Sequence, residues 1–75
     1  MEARLSGVSV GGKGLVCSIK AGAGLKKRFL SMGIIPGTAV EVVRVAPFGD
    51  PVEVKVRGYS LSLRKEEAEC IYIKE

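Results

Sequence analysis

The chain has no histidine and no tryptophan, a single aspartate, two cysteines and four aromatic side chains in 75 residues. The one aspartate, Asp50, stands between Gly49 and Pro51, where a short polar side chain supports a turn by bonding the local backbone. No pair of groups offers a general acid and a general base, and Ser31, Ser60 and Ser62 have no base to activate a hydroxyl. A non-enzymatic protein is expected. Cys17 and Cys70 are too few for a disulfide scaffold and lack zinc-ribbon or redox spacing, which fits a reducing cytoplasm. No stretch approaches the ~20 apolar residues of a membrane helix, and Met1 to Leu5 open no run of signal-peptide length. The expected location is therefore cytoplasmic, with any membrane connection made through a partner.

Hydrophobic residues make up 47% of the chain, with Val, Ile and Leu dominant, a composition that folds as a β-rich domain rather than a disordered tail. A chain of this length supports one core and buries only about 60% of its unfolded surface. Residues 1–75 are read as a single domain. The net charge of +4 favours an acidic partner, nucleic acid or an anionic membrane. The basic residues spread from Arg4 to Lys74, however, with one dense cluster at Lys26-Lys27-Arg28, and a solvated helix face accounts for that better than a nucleic-acid patch.

Periodicity outlines a mainly β chain with one inserted short α-helix. Leu15, Cys17 and Ile19 alternate with Val16, Ser18 and Lys20, which predicts a strand with Cys17 on the core face. Leu25, Phe29 and Met32 then follow helical spacing, and Gly33 is placed to end the helix so that Ile34 folds back toward Phe29. Ile35-Pro36-Gly37-Thr38 reads as a type II turn. From Thr38 to Ala46 the phase of the valines changes midway, which predicts a bulge. A Pro- and Gly-rich hairpin, Ala46 to Pro51, leads into the alternating strand Val52, Val54, Val56, a reversal at Gly58 and a strand through Tyr59, Leu61 and Leu63. One helical turn over Arg64 to Ala68 and a closing strand from Cys70 to Lys74 complete about five strands. Such a set closes, or nearly closes, into a small barrel.

Gly7 to Lys13 satisfies the first part of a phosphate-binding P-loop, but Gly14 follows where Ser or Thr would hold magnesium, and the loop leads into a strand instead of a helix. It is read as a turn, without nucleotide binding. A metal would have to draw on Cys17, Cys70 and the Glu66-Glu67 pair, and two cysteines packed like small apolar residues are the expected outcome. No cofactor and no stoichiometric iron are expected. The partner-binding candidates are Lys26, Lys27 and Arg28 on the helix, with Phe48 and Tyr59. Phe48, at a hairpin tip, either packs back on the barrel or meets a partner, and packing back is favoured. Aromatic stacking platforms for nucleic acid are missing, because Phe29 lies on the apolar helix face and Phe48, Tyr59 and Tyr72 are far apart.

Three blocks, Leu30 to Thr38 (LSMGIIPGT), Ala46 to Pro51 (APFGDP) and Arg57 to Arg64 (RGYSLSLR), together resemble the FeoA family, small partners of the FeoB iron transporter. Leu5-Ser6-Gly7-Val8 and Glu67-Ala68-Glu69-Cys70-Ile71 extend the resemblance over almost the whole chain. It implies an SH3-like barrel in the cytoplasm that associates with the cytosolic part of a GTPase-coupled transporter during ferrous iron uptake. The same domain type occurs at the C-terminus of metal-dependent repressors. No helix-turn-helix segment precedes it here, so an adaptor is expected; a basic barrel that binds nucleic acid, or a metal-sensing domain of the repressor type, stands as the alternative.

Overall fold

The computed structural model describes residues 2–74. Along the chain lie β1 (Glu2–Arg4), a 3-10 turn (Leu5–Gly7), β2 (Lys13–Ile19), α1 (Ala23–Ser31), β3 (Ala39–Val45), a second 3-10 turn (Pro47–Gly49), β4 (Val52–Val56), β5 (Tyr59–Leu63), α2 (Lys65–Ala68) and β6 (Ile71–Lys74). All pairings are antiparallel, in the spatial order β1-β6-β2-β3-β4-β5. The described residues form six strands rather than five. Glu2–Arg4 carries no apolar alternation, and β1 exists because β6 gives it a template: Glu2, Ala3 and Arg4 register with Lys74, Ile73 and Tyr72.

The valines of β4 are all buried, and they register with valines of β3: Val40 with Val56, Val42 with Val54, Val45 with Val52. The expected bulge falls between Val42 and Arg44, which lets valines on two sequence phases serve one inner face. Arg57 and Gly58, both at positive φ, close the β4–β5 hairpin in two residues.

In β2 the structure corrects the sequence reading. Val16 is buried while Leu15 is 52% exposed, so the first half of the strand presents the opposite face to the core from the one expected, while Ile19 packs on the core as expected. The register against β6 shifts between Val16 and Ser18, leaving Cys17 as the extra residue of a bulge. Val16 and Ile19 therefore register with Ile73 and Ile71 on the inside, while Leu15 and Ser18 register with Lys74 and Tyr72 on the outside. Cys17 is half-buried and is not part of the core, whereas Cys70 packs against it.

Helix α1 plugs the barrel with Phe29, which is wholly buried; a side chain of that size contributes about 1.5–3 kcal/mol on burial. Its end is the expected Schellman motif. Gly33 takes φ +84, its amide donates to the Leu30 carbonyl at 3.0 Å, and the Ile34 amide donates to the Phe29 carbonyl at 2.9 Å. Ile34 is thereby carried into the core. The Thr38 amide donates to the Ile35 carbonyl at 3.0 Å, closing the turn that starts β3.

Candidate partner interface

The basic cluster on α1 is split by a long-range ion pair. Lys26 and Lys27 are exposed, but Arg28 donates to the carboxylate of Glu67, which retains only 6% exposure in α2. The second oxygen of Glu67 accepts from the Arg64 amide at 2.8 Å. Arg28 is thus a structural strut between the two helices, and two lysines of the expected trio face solvent without that duty. Nothing in local sequence links Arg28 to a residue so far along the chain.

Phe48 does not pack back. It is fully exposed at φ +68, a left-handed conformation unusual for a residue with a Cβ. Its loop is held from both sides: the Gly49 amide donates to the Ala46 carbonyl at 2.9 Å, and the Ala46 amide donates to the Pro51 carbonyl at 3.1 Å. Asp50 does not bond the local backbone of the turn as expected; it accepts from the Lys65 amide at 3.1 Å, joining the loop to α2. Tyr59 keeps 46% exposure while its hydroxyl donates to the Met32 carbonyl at the end of α1. Its ring stays partly exposed, and its hydroxyl ties β5 to the helix.

The P-loop-like segment is consumed by the sheet. The Gly11 amide donates to the Val42 carbonyl at 2.7 Å, and the Val42 amide donates to the Gly12 carbonyl at 2.9 Å, so this glycine loop prolongs the β2–β3 ladder. The Gly11 amide is thus taken by β3 and the Gly12 amide by the Ser9 carbonyl at 2.9 Å, so neither is left to cradle a phosphate. The two cysteines are free thiols with separate acceptors. Cys17 donates to the Tyr72 carbonyl at 3.2 Å, and Cys70 donates to the Glu66 carbonyl at 3.5 Å. Among the described residues no three side chains of His, Cys, Asp or Glu converge as a metal site would require.

Two features escaped the sequence reading. On the outside of β1 and β6, the Arg4 Nε donates to the Tyr72 hydroxyl at 2.9 Å, which raises the Arg4 pKa, and the Lys20 ammonium lies 5.0 Å from the Tyr72 ring centroid. Beside it lies an open, predominantly apolar groove of about 650 Å³, with Leu15, Cys17 and Ala39 in its lining and Lys13 and Lys74 among the residues around it. The alternation in sequence places Leu15 on the core face, so no sequence signal marks this groove.

The model of the FeoA domain matches residues 3–75. Over 70 residues the chain is 34% identical to a Fe(2+) transport protein A/Fe(2+) transporter FeoB fusion protein of Porphyromonas gingivalis (strain ATCC BAA-308 / W83). That alignment covers 93% of this chain and 8% of the relative, so the chain corresponds to a small part of that protein. An NMR structure of a FeoA-like protein from Clostridium acetobutylicum superposes with a TM-score of 0.88 at 37% identity, covering 97% of this chain and 85% of that one. FeoA of Stenotrophomonas maltophilia, solved with zinc and described as a prokaryotic SH3 domain protein, gives 0.81 at 26% identity over 99% of this chain and 89% of that one. A manganese-dependent transcriptional repressor gives 0.90 at 23% identity over 97% of this chain and 36% of that one, a likeness of fold alone. The barrel is SH3-like, as the sequence resemblance implied. With a family match that runs unbroken from β1 to β6, the chain belongs to the FeoA family.

Proposed function

We propose that this chain is a non-enzymatic cytoplasmic adaptor that regulates a FeoB-type ferrous iron transporter by docking on its cytosolic part. One observation carries the reading: in the Porphyromonas gingivalis relative, a segment similar to almost this entire chain is named as one protein with FeoB. A covalent link raises the effective concentration of two modules to about the millimolar range. Specific docking also needs an exposed surface that supplies affinity. The exposed Phe48, the free lysines of α1 and the apolar groove beside Leu15 are surfaces of that kind.

The absence of histidine and the lack of a base for any serine support a role without catalysis. No helix among the described residues is long and apolar enough to cross a membrane, which fits contact with the bilayer through the transporter. The test is Fe(II) uptake by cells that carry the transporter, with and without this chain. Uptake that changes when the chain is supplied, and returns to baseline with a surface variant that still folds, supports regulation; uptake indifferent to the chain contradicts it.

A further inference from the structure

We infer that the outer face of β2 and β6, centred on Leu15, is a docking groove for an acidic amphipathic helix of a protein partner. The inference deepens the adaptor reading and rests on it for the partner's identity, but the groove's chemistry stands on its own geometry.

Register places the residues. Lys74 is paired with Glu2 on one side and Leu15 on the other, and Leu15 is paired in turn with Ala39, so these four side chains share the outer face. Lys13 and Glu41 form the next row on the same face, and Arg4, Tyr72 and Ser18 form the row beyond Lys74. The bulge at Cys17 is what turns Leu15 outward. A large aliphatic side chain at a strand position is thus left 52% exposed, beside the small residues Gly14, Gly37 and Ala39, and the gap between them is the groove. About 650 Å³ lies within the range of pockets that receive several side chains of a ligand.

The chemistry of the occupant follows from charge and from hydrogen bonding. Lys13 and Lys74 line the apolar floor, whose lining holds no carboxylate among the described residues, while Glu2 and Glu41 lie in register next to them and Arg4 and Lys20 sit by the Tyr72 ring farther along the face. The ion pairs among the described residues are Arg28–Glu67 and Arg64–Asp50, neither of which involves this face. An apolar segment flanked by Glu or Asp complements it. Strand addition is closed to such a segment, because β2 is paired with β6 on one side and β3 on the other. Only side chains are on offer, and the matching mode is a helix that lays an apolar stripe into a groove. A concave floor also receives projecting side chains better than it inserts into lipid.

The test uses the full ¹⁵N-labelled chain and a synthetic amphipathic helical peptide with a Leu/Phe stripe flanked by Glu. The expected result is saturable shifts at Lys13 to Cys17, Ala39 and Lys74. L15E and K13E/K74E should each weaken binding by about tenfold or more, with unchanged circular dichroism. R44E/K65E, which changes net charge equally but lies off the groove, should stay within about twofold. Shifts located elsewhere, no saturation, or perturbation of these resonances only by phosphatidylglycerol vesicles would overturn the proposal. The same variants on the whole transporter separate the two claims. If L15E and wild type bind it equally, the groove proposal fails and the adaptor reading survives. If the peptide seats in the groove while wild type ignores the transporter, the groove stands and the adaptor reading fails.

Discussion

Arg28 on α1 and Glu67 on α2, 39 residues apart, form an ion pair whose exposed member can reach water and whose acidic member cannot. Removal of the two partners is therefore not equivalent. R28A leaves a buried carboxylate with the Arg64 amide as its remaining partner, whereas E67A frees a guanidinium that solvent can reclaim. We expect R28A to cost about 1–3 kcal/mol despite the exposure of Arg28, an amount no smaller than the cost of E67A. Urea unfolding of both single variants and the double variant measures the coupling. Strictly additive effects would show that the pair does not join the helices.

Gly33 carries the chain from α1 into the core through a positive φ. Gly33→Ala adds the penalty of a left-handed residue, and its Cβ would lie 3.3 Å from the Arg57 Cδ, at the end of a side chain able to yield. A loss of about 1–2 kcal/mol is expected, equivalent to a fall in Tm of about 4–16 °C for a domain this size. A thermal melt that matches wild type would mean the Schellman turn tolerates another geometry.

Phe48 separates stability from binding in one substitution. Its ring buries nothing and its φ favours glycine, so Phe48→Gly should leave the fold as stable as wild type or more stable by up to about 1 kcal/mol. The same change should weaken binding to the transporter, because an exposed aromatic on a restrained loop is suited to anchor a contact. Paired melting and binding measurements check both halves. A destabilised F48G would show that the ring packs in solution.

The glycine loop before β2 yields a negative prediction with a structural cause. With the Gly11 amide and Gly12 carbonyl committed to Val42, the isolated protein should bind neither GTP nor ATP. Calorimetric titration of either nucleotide should give no heat of binding. Micromolar affinity would contradict the ladder as the resting state of this loop.

Much of the fold was legible because local signals agreed. The strict alternation of Val52 to Val56, the Gly33 stop after a helical stripe and the Pro36-Gly37 corner each have one physical solution, and each is realised. The shift of valine phase in β3 disclosed its bulge, since both phases are apolar and a straight strand could bury only one. The bulge in β2 gave no such sign. Cys17 is small and apolar enough to complete a perfect alternation with Leu15 and Ile19, and the true register depends on β6, more than fifty residues later. The groove at Leu15 was hidden for that reason. The ion pair of Arg28 was hidden for a related one: a cation on a helix shows its neighbours in sequence but not the carboxylate that folding brings to it.

The central claim is docking on the transporter, and the most direct measurement is a titration of this chain against a FeoB-type transporter of the same source. The full-length protein and its cytosolic portion should be tested separately, with and without guanine nucleotide. Saturable binding to both, weakened by F48G and by L15E, is the predicted result. An absence of saturation with either form in every nucleotide state would contradict the account.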